Sequence, residues 1–291
     1  MKQLIKAVLG PNAVAWLRRK RHELRQARVR RLPPLNEEAF REILLGKLGL
    51  KDTDVVFVHS AVDSLHLDFS FFRILPLLRE CVGEGGTLLF PTYPELPSYE
   101  FLRGEHIFDV RRSPSFTGIL TEVARRQKGA VRSLHPTKSV SALGPLAREL
   151  TDGHHLSPFP YDRTSPYHRM ADVGGKIIGI GVTTRKLSFV HCADDILKDD
   201  FPVAPYHAEI FSAKCIDYAG NTVIMQTLAH DRAKMKHNIP RFVKRYCPRT
   251  MCEDLVVGGM PFYRADARPL LDRMVDLARK GTTIYARRVY K

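Results

Sequence analysis

Polar side chains follow three apolar segments of the sequence at the point where each segment ends. The polar pairs are His59-Ser60, Thr92-Tyr93 and Thr183-Thr184. Ligands of open α/β sheets bind outside the carboxyl ends of the strands, so side chains at neighbouring strand ends share one cleft. We therefore expect a ligand-binding cleft lined by hydroxyl groups and a histidine, although each pair taken alone also fits an ordinary loop.

The segment from Ser113 to Gly118 shows a second pattern with chemical meaning. Ser115 precedes a helical run, and a serine cap leaves backbone N–H groups free at the start of a helix. Such a helix start attracts anions and is a natural seat for a phosphate group. The same pattern also fits a helix cap without any ligand.

Apolar periodicity predicts the elements that would position these residues. Short apolar runs rich in β-branched residues predict strands, and helical spacing of apolar residues predicts the helices between them. Continuous apolar runs indicate a mixed, largely parallel central sheet covered by helices, and Gly220-Asn221 predicts a late antiparallel hairpin. The predicted strands cover 55–58, 87–90, 176–180, 208–218, 222–227 and 283–289, and the predicted helices cover 37–48, 68–82, 115–128, 188–197 and 269–280.

Composition is typical of a globular protein in a reducing compartment. The chain has 291 residues, of which 44% are apolar, enough for one large α/β domain or two small ones. Its five widely spaced cysteines do not suggest a disulfide framework. No apolar run approaches the roughly 20 residues of a membrane span, and we expect a cytoplasmic protein.

Residues 1–35 carry most of the net positive charge. They contain ten Lys or Arg residues and one acid, Glu23, which gives +9 of the formal net charge of +15. We interpret them as a basic, helical extension that precedes a domain spanning residues 36–291. Basic residues among apolar ones favour a peripheral contact with anionic membrane, and a solvated helix with an exposed basic face explains the pattern equally well.

Several common functional signatures are absent from the sequence. It has no phosphate-binding Walker loop, no GxSxG elbow and no GxGxxG turn after a strand, which disfavours nucleotidases, hydrolases and dehydrogenases. The spacing of His230, His237, Cys247 and Cys252 matches no common zinc site, so we expect no metal. The positive charge is accompanied by no nucleic-acid-binding motif, so we expect no nucleic acid partner.

A series of short motifs occurs in a recognisable order. They are Val58-His59-Ser60, Gly85 through Thr92, Phe108 through Ser115, Arg132 through Gly144, Thr164 through Tyr167, Gly174 through Val182, and Phe189 through Asp194. Over residues 37–290 their order and spacing resemble the aminoglycoside 3-N-acetyltransferase family. The resemblance implies a three-layer α/β/α sandwich, acetyl-CoA as donor, and direct transfer of the acetyl group to a substrate amine.

The resemblance also implies roles for individual residues. The family's general base falls on His191, and Asp194 would fix its tautomer and stabilise the imidazolium. Acetyl-CoA would contact His59, Ser60, Ser115, Gly118 and Ser165. The acceptor would contact Thr92, Tyr93, Glu95, His135, His230 and Asp231.

The chain departs from the family pattern at two places. The family has His-x-x-Glu where this chain has His191-Cys192-Ala193-Asp194, so the carboxylate is one methylene shorter. The late glutamate of aminoglycoside-modifying members is replaced by Ala229-His230-Asp231. Structural explanations stay open for three histidines, with His191 as a core residue, His135 as a turn residue and His59 as a loop cap.

The charge of the chain bears on the acceptor. Aminoglycosides are strongly cationic and require a site lined with carboxylates, whereas this basic chain offers few acids near Glu95. This favours a neutral or anionic amino sugar, such as a nucleotide-linked or lipid-linked intermediate of surface polysaccharide synthesis. One alternative is a true aminoglycoside 3-N-acetyltransferase of antibiotic resistance, and an alternative of another class is a non-catalytic protein that binds a membrane surface or a polysaccharide.

Overall fold

The computed structural model describes residues 11–285. Its strands are β1 (Val55–Ser60), β2 (Thr87–Pro91), β3 (Ile107–Asp109), β4 (Val131–Arg132), β5 (Val140–Leu143), β6 (Lys176–Ile180), β7 (Tyr206–Ile216), β8 (Thr222–His230), β9 (Cys252–Val257) and β10 (Met260–Asp266). Its helices are α1 (Pro11–Val29), α2 (Glu37–Glu42, continued by a π-helical turn over Ile43–Lys47), α3 (Ile74–Val82), α4 (Ser98–Arg103), α5 (Ile119–Arg125), α6 (Ala147–Thr151), α7 (Pro166–Asp172), α8 (Cys192–Leu197), α9 (Ile239–Tyr246) and α10 (Ala267–Arg279).

Seven strands in this range form one central mixed sheet, in the order β4-β5-β2-β1-β6-β10-β9. Its three middle strands are parallel, because β1 pairs in parallel with both β2 and β6. Antiparallel strands extend the sheet on both sides, β5 and β4 beyond β2, and β10 and β9 beyond β6. The predicted mixed sheet is confirmed, and the segments that follow β1, β2 and β6 leave it at the same edge.

Helices cover both faces of the central sheet. Val55 and Phe57 of β1 belong to one apolar core, and Val56 and Val58 belong to the other, because successive side chains of a strand point to opposite faces. Helices α6, α7, α8 and α10 contribute to the first core, and α2, α3 and α5 contribute to the second. The strands are thus buried on both faces, which explains their continuous apolar runs and confirms the three-layer α/β/α architecture.

The hairpin at Gly220-Asn221 forms, but it lies outside the central sheet. Strand β7 pairs antiparallel with β8 and parallel with β3, and these three strands make a separate sheet. One face of this sheet packs with α4 around Phe108, Phe211 and Cys215. The antiparallel strands that the central sheet gains late in the chain are β9 and β10 instead.

The segment before α5 differs from the helix start predicted there. The helix expected over 115–128 is limited to Ile119–Arg125. Residues before it bond to other parts of the chain, since the Ser115 N–H donates to the Glu122 carboxylate at 2.8 Å and the Phe116 N–H donates to the Tyr93 carbonyl at 2.9 Å. These N–H groups are therefore not free to hold a phosphate group, and that prediction is wrong for them.

The two ends of the chain are described only in part. Helix α1 lies within the basic extension, and its Gln26 side chain donates to the Asp63 carbonyl at 2.7 Å. Of the strand predicted over 283–289, the structure describes residues 283–285, and Tyr285 forms an isolated β-bridge with His237. Residues 1–10 and 286–291 lie outside the described range, and within that range no helix is long and apolar enough to cross a membrane.

Gly179 in β6 leaves room for the ring of Tyr263, which lies opposite it on the neighbouring strand β10. A Cβ atom at this position would lie 2.1 Å from Cδ1 of Tyr263, whose ring is fully buried. The Tyr263 hydroxyl is hydrogen-bonded to Nδ1 of His59 at 2.7 Å, so the ring cannot move without breaking a buried polar contact. The glycine at this position is therefore required by packing.

We predict that Gly179→Ala lowers the free energy of unfolding by about 1–3 kcal/mol, the usual cost of overpacking a filled core. Urea denaturation of the wild type and the variant measures this difference. Gly46→Ala is the matched control, because a Cβ atom there meets nothing within 4 Å and alanine favours helix. An unchanged midpoint for Gly179→Ala would contradict the packing argument.

Candidate active site

A cleft of about 460 Å³ opens beside the carboxyl ends of the parallel strands. The segments that follow β2 and β6 line it, together with the turn before β5 and the segment that follows β8. Four residues predicted to contact ligands or to transfer protons line this cleft, namely Tyr93, Glu95, His191 and His230. These four residues are up to 137 positions apart in the sequence, and the fold brings them together in one cleft.

His191 and Asp194 form a buried pair at the wall of this cleft. Asp194 follows His191 by three residues across a 3-10 turn and the first turn of α8, and its Oδ2 lies 2.9 Å from Nδ1 of His191. The shorter carboxylate thus reaches the imidazole. The Tyr285 hydroxyl donates a short hydrogen bond to the same Oδ2 and lies 3.2 Å from Nδ1 of His191. Tyr285 was not singled out from the sequence.

Burial controls the protonation of this pair. Burial lowers the pKa of His191 well below its usual range, and the nearby charge of Lys138 lowers it further. Burial raises the pKa of Asp194, and the hydrogen bond from Tyr285 opposes that rise. His191 is therefore a neutral imidazole at neutral pH. In its ionised form Asp194 would accept a hydrogen bond from the Nδ1–H group of His191, which leaves the other ring nitrogen able to accept a proton.

His230 lies against His191 on the cleft wall. Their ring centroids are 4.5 Å apart, and the His230 ring stacks on Tyr206 at 4.4 Å. Nε2 of His230 and Oδ1 of Asp194 are buried, and neither atom has a hydrogen-bond partner among residues 11–285. Ligand atoms of His191, Asp194 and His230 lie within 4.8 Å of one another, a spacing that a metal ion could use, and Cys247 and Cys252 do not belong to this group.

Three of the residues predicted to hold acetyl-CoA lie close together. A Cβ atom on Gly118 would sit 3.3 Å from the Ser60 carbonyl, so the loop after β1 and the start of α5 are in close contact. The Ser115 hydroxyl is hydrogen-bonded to Thr117 at 2.9 Å, and Thr117 lines the cleft. Ser60 Oγ is buried and has no hydrogen-bond partner in the part of the chain that the structure describes. This corner therefore has an unused hydroxyl and a backbone approach that a side chain would block.

The other two residues predicted to hold acetyl-CoA are bonded within the protein. Both ring nitrogens of His59 are used, Nδ1 by the Tyr263 hydroxyl and Nε2 by Ser188 Oγ at 2.9 Å. The Ser165 hydroxyl caps α7 by accepting from the His168 N–H at 3.2 Å, and the residue is fully buried. Neither residue lines the cleft, so in this structure each fixes the position of its neighbours.

His135 is also a structural element of the turn before β5. Its Nδ1 accepts hydrogen bonds from the backbone N–H groups of Thr137 and Lys138, and its Nε2 lies 3.3 Å from Thr227 Oγ1. His135 is completely buried and does not line the cleft, whereas Thr137 and Lys138 do. The histidine therefore holds the turn that presents its two neighbours.

Two further residues predicted to bind the acceptor lie away from the cleft surface. Thr92 is completely buried, and its hydroxyl donates to the Ser139 carbonyl at 3.2 Å. Asp231 caps the turn that follows β8, where it accepts from the Ala233 N–H at 2.8 Å. In this structure both stabilise segments that border the cleft.

The charged residues that line the cleft are mostly basic. Two carboxylates, Glu95 and Glu100, face four cations, namely Lys138, Arg185, Lys186 and Arg232. The contact between Arg232 and Glu100 is 4.0 Å long and exposed, so it neutralises little. Among the described residues, the cleft is therefore lined by fewer carboxylates than cations, which does not favour a polycationic ligand.

We predict that the His191 imidazole stays neutral from pH 7 down to pH 5. An ordinary histidine, with a pKa near 6.5, would be mostly protonated at pH 5, but burial disfavours the charged ring here. NMR titration of ¹⁵N-labelled imidazoles measures this, with His191→Gln to assign the resonance and exposed His106 as the internal reference. A His191 titration midpoint at or above pH 6.5 would contradict the proposed electrostatics.

Comparison with known proteins adds an independent line of evidence. The family model for aminoglycoside 3-N-acetyltransferases matches residues 57–279. Aminoglycoside N(3)-acetyltransferase VII of Streptomyces paromomycinus and aminoglycoside N(3)-acetyltransferase IX of Micromonospora chalcea are each 32% identical over 165 residues. These matches cover 52% of this chain and 57% and 58% of the two relatives, so the chain spans little more than half of their length.

Solved structures of aminoglycoside acetyltransferases have the same fold. AAC-IIIb, solved in a binary complex with CoASH, superposes with a TM-score of 0.71 at 24% identity, covering 86% of this chain and 98% of that protein. AAC(3)-Xa superposes with a TM-score of 0.72 at 22% identity, covering 92% of this chain and 99% of that protein. The common architecture and the family match over residues 57–279 agree with the order of the motifs, and the chain belongs to the aminoglycoside 3-N-acetyltransferase family.

Proposed function

We propose that this chain transfers an acetyl group from acetyl-CoA to the amine of an amino sugar, as an N-acetyltransferase of the aminoglycoside type. The observation that carries the proposal is the buried, neutral His191, which is bonded to Asp194 and lines a cleft large enough for a ligand. A neutral imidazole held in one tautomer by a carboxylate is the arrangement expected of a general base.

His191 would remove a proton from the acceptor amine as the amine nitrogen attacks the thioester carbon. A C–N bond then forms and the C–S bond breaks, and the CoA thiolate takes the proton back from the His191 imidazolium. Asp194 would stabilise that imidazolium in its ionised form, and the hydrogen bond donated by Tyr285 favours that form by opposing the rise in the pKa of Asp194 that burial causes. The first proton acceptor and the final proton donor are the same residue, so the reaction returns the site to its starting state.

The corner formed by Ser60, Thr117 and Gly118 suits the donor. Acetyl-CoA supplies an activated acetyl group on a long amide-containing arm. Thr117 lines the cleft, and the nearby Ser60 Oγ is buried with no hydrogen-bond partner among the described residues, so we assign this corner to the arm. The relative solved with CoASH supports the choice of donor.

The relatives favour an aminoglycoside as the first acceptor to test. Those reported above are named for aminoglycosides, and another structure of this fold, AAC-VIa, was solved bound to sisomicin. These names support true aminoglycoside acetylation better than the surface-polysaccharide intermediate expected from net charge. The second candidate is kept because the cleft is lined mostly by basic residues.

The role of residues 1–35 stays a prediction. Helix α1 exposes Trp16 and Leu24 beside basic residues such as Arg19 and Lys20, which is compatible with peripheral contact with an anionic membrane. The alternative of a non-catalytic binding protein is disfavoured by the His191–Asp194 pair, since a buried pair of this kind at a cleft is costly to keep without a reaction.

We predict that His191→Ala lowers kcat at least about 100-fold, the usual contribution of a general base. Thiol release from acetyl-CoA measures turnover, with sisomicin, glucosamine and a nucleotide-linked amino sugar as acceptors. His106→Ala, which changes an exposed histidine outside the cleft, is the control and keeps full activity. Bound acetyl-CoA with no transfer to any of these amines, or an active His191→Ala variant, would overturn the proposal.

We predict that Tyr285→Phe lowers kcat about tenfold and moves the acid limb of the pH profile upward. Loss of the donated hydrogen bond raises the pKa of Asp194 further, so a higher pH is needed to keep this carboxylate ionised. The profile of kcat/KM against pH for wild type and variant measures the shift. Loss of rate with an unmoved acid limb would show that Tyr285 acts only on packing.

A further inference from the structure

Two side chains of the turn before β5 line the cleft and have polar groups without a hydrogen-bond or ion-pair partner among the described residues. Lys138 Nζ lies 4.9 Å from the centroid of the Tyr93 ring and makes no hydrogen bond or ion pair with any residue in the described range. Thr137 is 1% exposed, and its hydroxyl is buried and has no hydrogen-bond partner within residues 11–285. Both residues line the same cleft as His191.

The turn is held rigidly in this orientation. The ring of His135 accepts the backbone N–H groups of Thr137 at 3.2 Å and Lys138 at 3.1 Å. On the other side, the Tyr167 hydroxyl donates to the Lys138 carbonyl at 3.4 Å and is hydrogen-bonded to the Tyr93 hydroxyl. The backbone of the turn is therefore fixed by the fold, and the ammonium group of Lys138 lies against the Tyr93 ring.

An unpaired ammonium in such a position has an energetic cost. Burial and, to a smaller extent, the charge of Arg232 lower the pKa of Lys138 to about 8, so Lys138 is still mostly protonated at neutral pH. Buried charges are normally paired, because transfer of an unpaired charge from water is expensive. His230 lines the same cleft, and its buried Nε2 has no hydrogen-bond partner among residues 11–285. An ammonium and a hydroxyl are donors suited to an acidic group, and a neutral imidazole adds a third donor in the tautomer that is protonated at Nε2.

We propose that Lys138 and Thr137 form a subsite for an acidic group, a phosphate or carboxylate, carried by the acceptor close to its reacting amine. This inference rests on the proposed acetyl transfer and narrows its acceptor to an acidic amino sugar. The acid belongs to the acceptor because Lys138 lies near His191, where the thioester end of the donor must be, whereas the phosphates of CoA are at the far end of its arm. A polycationic acceptor would place an ammonium against Lys138 and bind poorly.

The test uses acceptors that differ only in the acidic group. Glucosamine and glucosamine 6-phosphate are compared as acceptors for the full chain, with sisomicin as the polycationic probe. We expect wild type to prefer glucosamine 6-phosphate over glucosamine by about 10- to 100-fold in kcat/KM, the range expected for a charge-assisted hydrogen bond. Lys138→Met removes the preference, Lys138→Arg retains most of it, and Lys138→Glu reverses it in favour of sisomicin.

Lys128→Met is the matched control, because it removes the same charge from an exposed lysine outside the cleft and leaves the preference within about threefold. Three results would overturn the inference. A uniform loss of kcat in Lys138→Met with every acceptor would assign Lys138 to the thioester oxygen. A raised KM for acetyl-CoA alone would assign it to the CoA phosphates, and an unchanged preference would remove it from recognition altogether.

A second measurement does not depend on turnover. Labelling of Lys138 by an amine-reactive reagent, mapped by mass spectrometry in the presence of saturating CoA, should be slowed by glucosamine 6-phosphate and not by glucosamine. Equal labelling with both sugars overturns the acidic subsite. If labelling is selectively slowed but no sugar is acetylated, the subsite stands and the proposed transferase activity fails.

Discussion

Removal of the His191–Asp194 pair from water is the constraint on which the rest of the site depends. Asp194 is 3% exposed, and a buried carboxylate is tolerable only where donors surround it. One donor is Nδ1 of His191, in the turn that precedes Asp194, and the other is the hydroxyl of Tyr285, near the end of the described residues. The site is therefore complete only when the segment after α10 has packed beside α8. The environment of Asp194 thus depends on the folding of the domain up to Tyr285.

The central sheet supplies the rigidity that this arrangement needs. The parallel strands β2, β1 and β6 end side by side. Hydrogen bonds of buried side chains that do not themselves line the cleft hold the loops that border it. His59 is an example, because it links Tyr263 on β10 to Ser188 beside the site. His135 does the same for the turn before β5. Several histidines that sequence patterns associate with ligands thus act one step back, by holding the loops that carry the ligand-facing groups.

Features that depend on neighbouring residues were predictable from the sequence, whereas contacts between residues far apart in the sequence were not. Strands such as β1 and β6 were predictable because apolar runs report burial on both faces of a sheet. The roles of His191 and Asp194 came from resemblance, since periodicity cannot distinguish a reactive histidine from a core one. Tyr285 was missed because its contact with Asp194 spans 91 positions and follows no motif. The prediction of free N–H groups before α5 was also wrong, because the N–H of Ser115 donates a hydrogen bond to the carboxylate of Glu122, seven residues away.

The charge of the whole chain and the charge of the cleft are different quantities. Most of the +15 is carried by residues 1–35, and exposed charges beyond about 10 Å are largely screened by salt. Lys138 matters more because it is inside the cleft, where the same burial that keeps His191 neutral weakens the screening of charge. Lys138 also lowers the pKa of His191. An acidic group bound at Lys138 would cancel that effect and make His191 a stronger base, so that binding of the correct acceptor and activation of the base would be coupled through one electrostatic contact.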